Sequence, residues 1–375
     1  MNLKTLATVF AVILLSALIP GLSAPVAGQA TNATDPPVEQ ARKNIQVLKG
    51  LPESQLFLEM NFVGDSLGVH CDYCHVKGEK NPQTGANTWL WEKDDKRTKL
   101  TARDMMRMVL ELNRTKFNRE AVVTCYTCHR GSTRVERMAP LPPRDFTKEA
   151  LERTTTVLPS PQEVVTKYLS AVGATQKDAL SKAIVMKGVV ERSTGSFPFE
   201  VVSKQSKKLL VRQTTPSGVI TQGTNGATAW TQTAKSTTPF AGDSLKQISQ
   251  LAVLYSAVKL PDSVSAASIN VVKVDNRDAY VLTIEEDSTH LTQWAFDVET
   301  GLLVRFVTVT NTMLGPLNVQ WDFGDYKDIG GLKVPFMIRT SNVAAFDTAT
   351  RKFNDVKITP AIDDNIFEMP RPAAP

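Results

Sequence analysis

All four cysteines of the chain, and two of its four histidines, fall into two copies of one five-residue pattern: Cys71-Asp72-Tyr73-Cys74-His75 and Cys125-Tyr126-Thr127-Cys128-His129. C-x-x-C-H is the pattern that fixes a c-type haem. Two thiols separated by two residues can each reach a vinyl group on one porphyrin edge, and the adjacent imidazole then lies under the iron as proximal ligand. Two covalently attached c-type haems are therefore the expected cofactors, held by Cys71, Cys74 and His75 and by Cys125, Cys128 and His129. A disulfide within each cysteine pair would leave the repeated histidine unexplained. A four-cysteine zinc site is disfavoured because fifty residues separate Cys74 from Cys125, far more than the usual zinc-ribbon interval.

A five-coordinate haem binds small ligands, whereas a sixth protein ligand converts it into an electron carrier, so the identity of that ligand decides the function. Methionine is the leading candidate. Met60 precedes Cys71 in an apolar segment with Leu56, Phe57 and Phe62, and Met105 precedes Cys125 on a segment with helical periodicity. Methionines at helical spacing are also common core fillers, and Met106 and Met108 are immediate rivals to Met105. His70 abuts Cys71 and is too constrained by the attachment loop to cross to the opposite face of its own haem, though it could reach toward the other haem. His290 is remote in sequence and reads as a surface or packing residue.

The chain has 375 residues, 42% apolar and 22% charged, with 43 basic against 38 acidic side chains. That excess is too small and diffuse to predict a nucleic-acid surface, and no nucleic-acid partner is expected. Residues 1–30 read as a signal peptide: an apolar run from Leu6 to Ile19 is ended by Pro20-Gly21, too short to span a bilayer comfortably, and Gly28 and Ala30 suit a cut before Thr31. Export to the periplasm with cleavage is expected, with retention as an N-terminal anchor the alternative. A proline-rich seam, 138–160, separates a segment 31–137 that holds every cysteine from a segment 161–375 that holds none.

Upstream, Thr101 to Asn113 places Met105, Met108, Val109 and Leu112 at helical spacing, with Thr101 and Asp104 as its capping box. Downstream, Ser160-Pro161-Gln162-Glu163 opens a helix ending near Gly173, and Ser244 to Val258 again has helical spacing. The period then changes to two, at Trp294, Phe296, Val298 and at Leu317, Val319, Trp321, Phe323, with turns expected at Glu299-Thr300-Gly301 and Gly330-Gly331. The expected fold is multidomain: a mainly α dihaem cytochrome c domain, then an α+β domain with a mostly antiparallel sheet.

The run from Ala102-Arg103-Asp104-Met105-Met106-Arg107-Met108 to Asn113, and on to Val123-Thr124-Cys125-Tyr126-Thr127-Cys128-His129-Arg130-Gly131, closely resembles the cytochrome subunit of photosynthetic reaction centres. So does Phe57-Leu58-Glu59-Met60 before the first motif. In that family each haem is carried by a helix, a connecting loop and the C-x-x-C-H segment, with a helix methionine as sixth ligand. On the matching positions the resemblance implies iron ligation by Met60 and His75 in the first centre and by Met105 and His129 in the second. It covers about residues 38–137. Family members serving a reaction centre typically carry four haems in two such pairs, whereas this chain has one pair followed by an unrelated segment, so the contacts of a photosynthetic complex are not carried over.

A fainter resemblance lies downstream. Phe296-Asp297-Val298-Glu299-Thr300-Gly301-Leu302-Leu303-Val304, Asp325-Tyr326-Lys327-Asp328 and Gly331-Leu332-Lys333-Val334-Pro335-Phe336 look like the half-barrel domains of outer-membrane lipoprotein-sorting proteins. That resemblance implies a curved antiparallel sheet packed on helices, able to hold an acyl chain or to serve as a docking module.

The leading functional expectation is an exported dihaem cytochrome that relays electrons between redox partner proteins, with a membrane-associated complex as a further partner. Eight basic against four acidic residues from Arg103 to Arg137 would guide an acidic partner or simply form a solvated helix face. One alternative is a dihaem peroxidase-like enzyme with one open iron, which needs an acid-base group nearby. The other is a lipid-binding or partner-binding module with an accessory redox segment.

Overall fold

Alternating apolar and polar residues between Ala183 and Thr359 put one face of most strands into a core and the other toward water, and in the computed structural model the strands assemble into a single antiparallel sheet. The structure describes residues 35–370 apart from 83–86, 139–156, 175–182, 205–206, 216–217, 241–247, 250, 252–263, 265, 344–347 and 360–361. The expected signal peptide lies outside the described residues, as do most of the proline-rich seam and most of the helix expected at Ser244–Val258.

The segment with the two motifs holds α1 (Val38–Ala41), α2 (Glu53–Leu67), a 3-10 turn (Cys71–Tyr73), a hairpin of β1 (Val76–Lys80) and β2 (Asn87–Leu90), α3 (Arg97–Lys116) and α4 (Cys125–His129). Then come α5 (Pro161–Ala171) and the strands β3 (Ala183–Arg192), β4 (Gly195–Lys204), β5 (Lys208–Thr215), β6 (Gly218–Thr224), β7 (Ala229–Gln232) and β8 (Thr237–Pro239). The remaining strands are β9 (Ser268–Val274), β10 (Arg277–Glu285), β11 (His290–Asp297), β12 (Leu303–Asn311), β13 (Pro316–Ile329), β14 (Leu332–Asn342) and β15 (Ala349–Thr359). In space β3 to β8 form one meander and β9 to β15 another, and the two join where β15 pairs with β3.

The architecture is thus mostly β, which corrects the expectation of a mainly α cytochrome domain followed by an α+β domain. The helical periodicities are real, with α3 running to 20 residues, but the helices are few. Between α2 and α3 the chain forms a two-stranded hairpin, and the thirteen-stranded sheet outweighs the five helices among the described residues.

One face of the sheet is covered by α5. Its start is the capping box read from the sequence: the Ser160 hydroxyl accepts from the Glu163 N–H at 3.3 Å, and Glu163 Oε2 accepts from the Ser160 N–H at 2.7 Å. Val164, Val165, Tyr168 and Val172 then pack into the main core with Phe296, Leu303 and Val334, Tyr168 lying 5.2 Å from the Phe296 ring. The helix ends against the β13–β14 turn. Lys333 N–H donates to the Val172 carbonyl at 2.9 Å, and a Cβ on Gly173 would fall 1.9 Å from the Gly331 carbonyl oxygen, an approach only glycine permits. The turns expected at Gly301 and at Gly330-Gly331 are present, each glycine with positive φ.

The sheet also reaches the motif-bearing segment. The β12–β13 turn inserts Leu314, fully buried, among Val38, Leu48, Leu51, Val63 and Met106. A Cβ on Gly315 would lie 2.9 Å from the Thr124 methyl and 3.2 Å from the Phe62 ring, so this turn is pressed against the residue that caps α4.

Candidate functional site

The first motif closes on itself. His75 N–H donates to the Cys71 carbonyl at 2.8 Å, which folds the five residues into a single turn and sets both thiols on one side. The N-terminal end of α3 holds that turn in place: Lys96 donates to the Asp72 carbonyl and Thr98 to the Tyr73 carbonyl. α3 begins at Arg97 and not at the capping box expected at Thr101 and Asp104. Lys96 is its N-cap and supplies no side-chain cap, because an ammonium has no acceptor to offer the first-turn N–H groups; it donates to the motif instead.

His75 lies beside an aromatic array that its sequence gave no sign of. Trp91 stands edge-on to the imidazole at 5.0 Å, Trp89 stacks on Trp91 at 4.9 Å, and Phe57 of α2 meets Trp91 edge-on at 6.4 Å. Met60 is one helical turn beyond Phe57, half-buried, and packs on the cluster that also holds Met106 and Cys125. The His75 Nδ1 is buried and completes no hydrogen bond. Burial, followed by the Lys99 charge, pushes its pKa below the usual histidine value, while the Trp91 backbone works the other way.

Behind this histidine sits a charge cluster. Lys99 and Arg103 are both buried on α3. The Lys99 ammonium donates to the carbonyls of Trp91 at 2.7 Å and Lys93 at 2.6 Å and lies 3.0 Å from Asp94 Oδ1. Arg103 donates to Asp94 Oδ2 at 2.8 Å and to the Asn44 carbonyl at 3.0 Å. The Arg103 guanidinium, with Asn44, holds the Asp94 carboxyl well below the usual carboxylate range.

The second motif is α4 itself, a single helical turn capped reciprocally by Thr124 and Thr127 at 3.3 and 3.0 Å. Cys125 and Cys128, three residues apart, share a face. The far end of α3 positions it. Asn113, 3% exposed, donates to the Val123 carbonyl at 2.7 Å and accepts from the Val123 N–H at 3.0 Å, pairing with the approach strand as a neighbouring strand would. After the motif, Gly131 N–H donates to the Ser66 carbonyl of α2 at 2.9 Å, and a Cβ on Gly68 would fall 2.2 Å from the Gly131 oxygen. The His129 Nδ1 pairs with the Ser132 carbonyl at 2.9 Å, which makes Nδ1 the protonated nitrogen and leaves Nε2 as the free lone pair.

Glu59 of α2 is fully buried beside this motif. Neither of its carboxyl oxygens completes a hydrogen bond, and burial pushes its pKa up to about 7, offset in part by the Thr312 hydroxyl and the Leu314 backbone. Burial, followed by Glu59, pushes the Cys125 thiol up to about 11.

The three rival methionines of α3 fall on different faces. Met106 is in the core at 7% exposure, whereas Met105 and Met108 are 42% and 53% exposed and share their face with Leu112. Val122 and Tyr126 are likewise more than half exposed, and Trp91, Leu90 and Leu100 are exposed near the first motif. So much uncovered apolar surface around two free-thiol turns is what residues shaped to cover a large apolar group leave behind, and the donor set of two thiols and one imidazole at each turn fits a c-type haem. Among the described residues no three His, Cys, Asp or Glu side chains gather to hold a metal ion, which is the arrangement a zinc site would need. His70 is exposed, and His290 is engaged in the β10–β11 turn, its Nδ1 2.9 Å from Asp287 Oδ1.

Comparison with known proteins agrees with this chemistry. Residues 12–198 match the family described as the photosynthetic reaction centre cytochrome C subunit. The two-motif segment resembles that family. The photosynthetic reaction center cytochrome c subunit of Thermochromatium tepidum is 34% identical over 109 residues, 28% of this chain and 24% of that protein. Its counterpart from Rubrivivax gelatinosus is 30% identical over 119 residues, 30% of this chain and 29% of that protein. The chain thus spans about a quarter of the length of the curated relatives it matches, and a haem cytochrome role is what they support for the cytochrome-like segment. Among solved structures, a LolA superfamily protein from Nitrosomonas europaea aligns over 56% of this chain and 98% of its own, at 13% identity and a TM-score of 0.38. No helix among the described residues is long and apolar enough to cross a membrane.

Proposed function

We propose that this chain is an exported, periplasmic dihaem c-type cytochrome that relays electrons between protein redox partners. In this reading Cys71 and Cys74 hold one haem and Cys125 and Cys128 the other, His75 and His129 are the proximal ligands, and Met60 and Met105 are the sixth ligands. The observation that carries it is that each C-x-x-C-H turn sets its two thiols on one face and has its imidazole held by a neighbour, His129 by the Ser132 carbonyl and His75 against Trp91, beside exposed apolar side chains.

A bound c-type haem supplies one-electron chemistry. The protein's part is to hold each imidazole in one orientation, to exclude water with Trp91, Phe57, Leu112 and Tyr126, and to present a thioether that favours ferrous iron. α3 is the common support: its first turn holds the carbonyls of the first motif and its last turns pin Val123 ahead of the second. Met106 packs in the core, whereas Met105 and Met108 lie on the exposed face, which supports the reading that the ligand comes from that face. An optical spectrum of protein made in a host that attaches c-type haem tests the reading. Two haems per chain, a sulfur-to-iron charge-transfer band when oxidised and no response to carbon monoxide are expected. A response by one haem would instead favour the dihaem peroxidase-like alternative.

A further inference from the structure

Lys99 and Arg103 are the two buried cations among the described residues, and both lie behind the first motif. With Asp94 as their one carboxylate partner they leave a net positive charge there, and the Lys99 ammonium is fixed by the same Trp91 peptide that faces His75. The second motif has the opposite setting. The buried ionisable side chain packed beside it is an acid, Glu59, which contributes no positive charge in either protonation state. The proximal rings differ in the same sense. His129 donates through Nδ1 to the Ser132 carbonyl, which makes its Nε2 a stronger electron donor, whereas His75 Nδ1 completes no such bond.

We infer that the Lys99–Arg103–Asp94 cluster poises the first haem at a higher potential than the second, so that an electron entering at the second centre settles at the first. Lys99 and Arg103 are positioning residues here: they act on the iron through the field at His75 and not by ligation. Ferrous haem carries one positive charge fewer than ferric haem, so a fixed cation whose field reaches the proximal ring penalises the ferric form more. The imidazole that is better polarised by a carbonyl, His129, favours the ferric form.

This inference rests on the dihaem reading, and its test keeps the two apart. The haem content of the holoprotein is measured first, followed by a potentiometric titration of each haem band, with the first haem identified in a Cys125→Ala/Cys128→Ala chain that retains only that group. Lys99→Met is expected to lower the first midpoint by about tenfold in the ferrous-to-ferric ratio at fixed potential, about 59 mV for one electron, while the second stays in place. Asp94→Asn, which removes the counter-charge, is expected to shift the first midpoint upward, and Lys99→Arg to preserve it. Loosening of the fold would move Lys99→Met and Asp94→Asn in the same direction, so shifts of equal sign overturn the inference, as does a first haem that titrates below the second in the unaltered protein. One haem or none per chain overturns the dihaem reading itself and the inference with it.

Discussion

The first motif is held by charge and the second by packing. Around Cys71–His75, the anchoring contacts come from Lys96, Thr98, Lys99 and Arg103 at the start of α3, reaching carbonyls and a single carboxylate, with an aromatic hairpin alongside. Around Cys125–His129 they come from a reciprocal cap, from the neutral amide of Asn113, and from a turn of the sheet that buries Leu314 beneath the site. The two cysteines and the histidine that the motifs share are therefore compatible with opposite electrostatic surroundings.

The most direct way to break the comparison is to remove one centre. Cys125→Ala/Cys128→Ala is expected to halve the haem content, read as the pyridine haemochromogen per chain, and to leave the first haem's spectrum unchanged because its supports lie at the other end of α3. Parallel loss of both haems would show that the two centres form one folding unit.

The next largest effect tests the sheet's contribution. Leu314→Ala empties a fully buried site between the sheet turn and the motif-bearing segment, and is expected to cost about 2–5 kcal/mol in chemical denaturation. The accompanying spectral broadening should be larger at the second haem, since the turn presses on Thr124, which caps α4, and shares a cluster with the first centre only through Met60.

Glu59 gives the comparison a pH signature. Its folded-state pKa of about 7 lies above the ordinary carboxyl value of 4.5, so between these limits the native state keeps a proton that the unfolded chain has released. Stability therefore falls as pH rises through that window and levels off above 7. Glu59→Gln is expected to flatten that slope and to stabilise the protein by about 2–3 kcal/mol at pH 8 relative to the parent, measured as denaturation midpoints at pH 5 and pH 8. An unchanged slope would mean that the carboxyl is not desolvated as described. Smaller again is Asn113→Ala, which leaves the Val123 N–H and carbonyl without partners at a cost of about 1–3 kcal/mol, and should loosen the second centre alone.

Much of this was legible in the sequence, for reasons that are local. The motifs, the Ser160–Glu163 cap, the strand alternation at Leu317–Phe323 and the turns at Gly301 and Gly330-Gly331 each depend on residues within a few positions of one another, and periodicity reads such relations well. The balance of the fold was not legible, because many strands of the first meander, such as β6 and β8, are short or carry few apolar residues and are recruited by their neighbours. Nor was the β1–β2 hairpin, whose Val76-Lys77-Gly78-Glu79-Lys80 strand has almost no alternation. The charge cluster was invisible for a different reason. Arg103 reaches Asn44, fifty-nine positions away, and on a helix wheel it reads as a solvated cation. Likewise, Thr312 to Gly315 looks like an ordinary hairpin turn until α2 and α4 are packed against it.

The account stands on two covalent haems in two different settings, and the intact mass of the holoprotein, taken with thiol alkylation under denaturing conditions, addresses that claim most directly. The predicted result is a chain heavier by two haems with no cysteine open to alkylation. A chain at its bare polypeptide mass, with four alkylatable thiols or two disulfides, would contradict it.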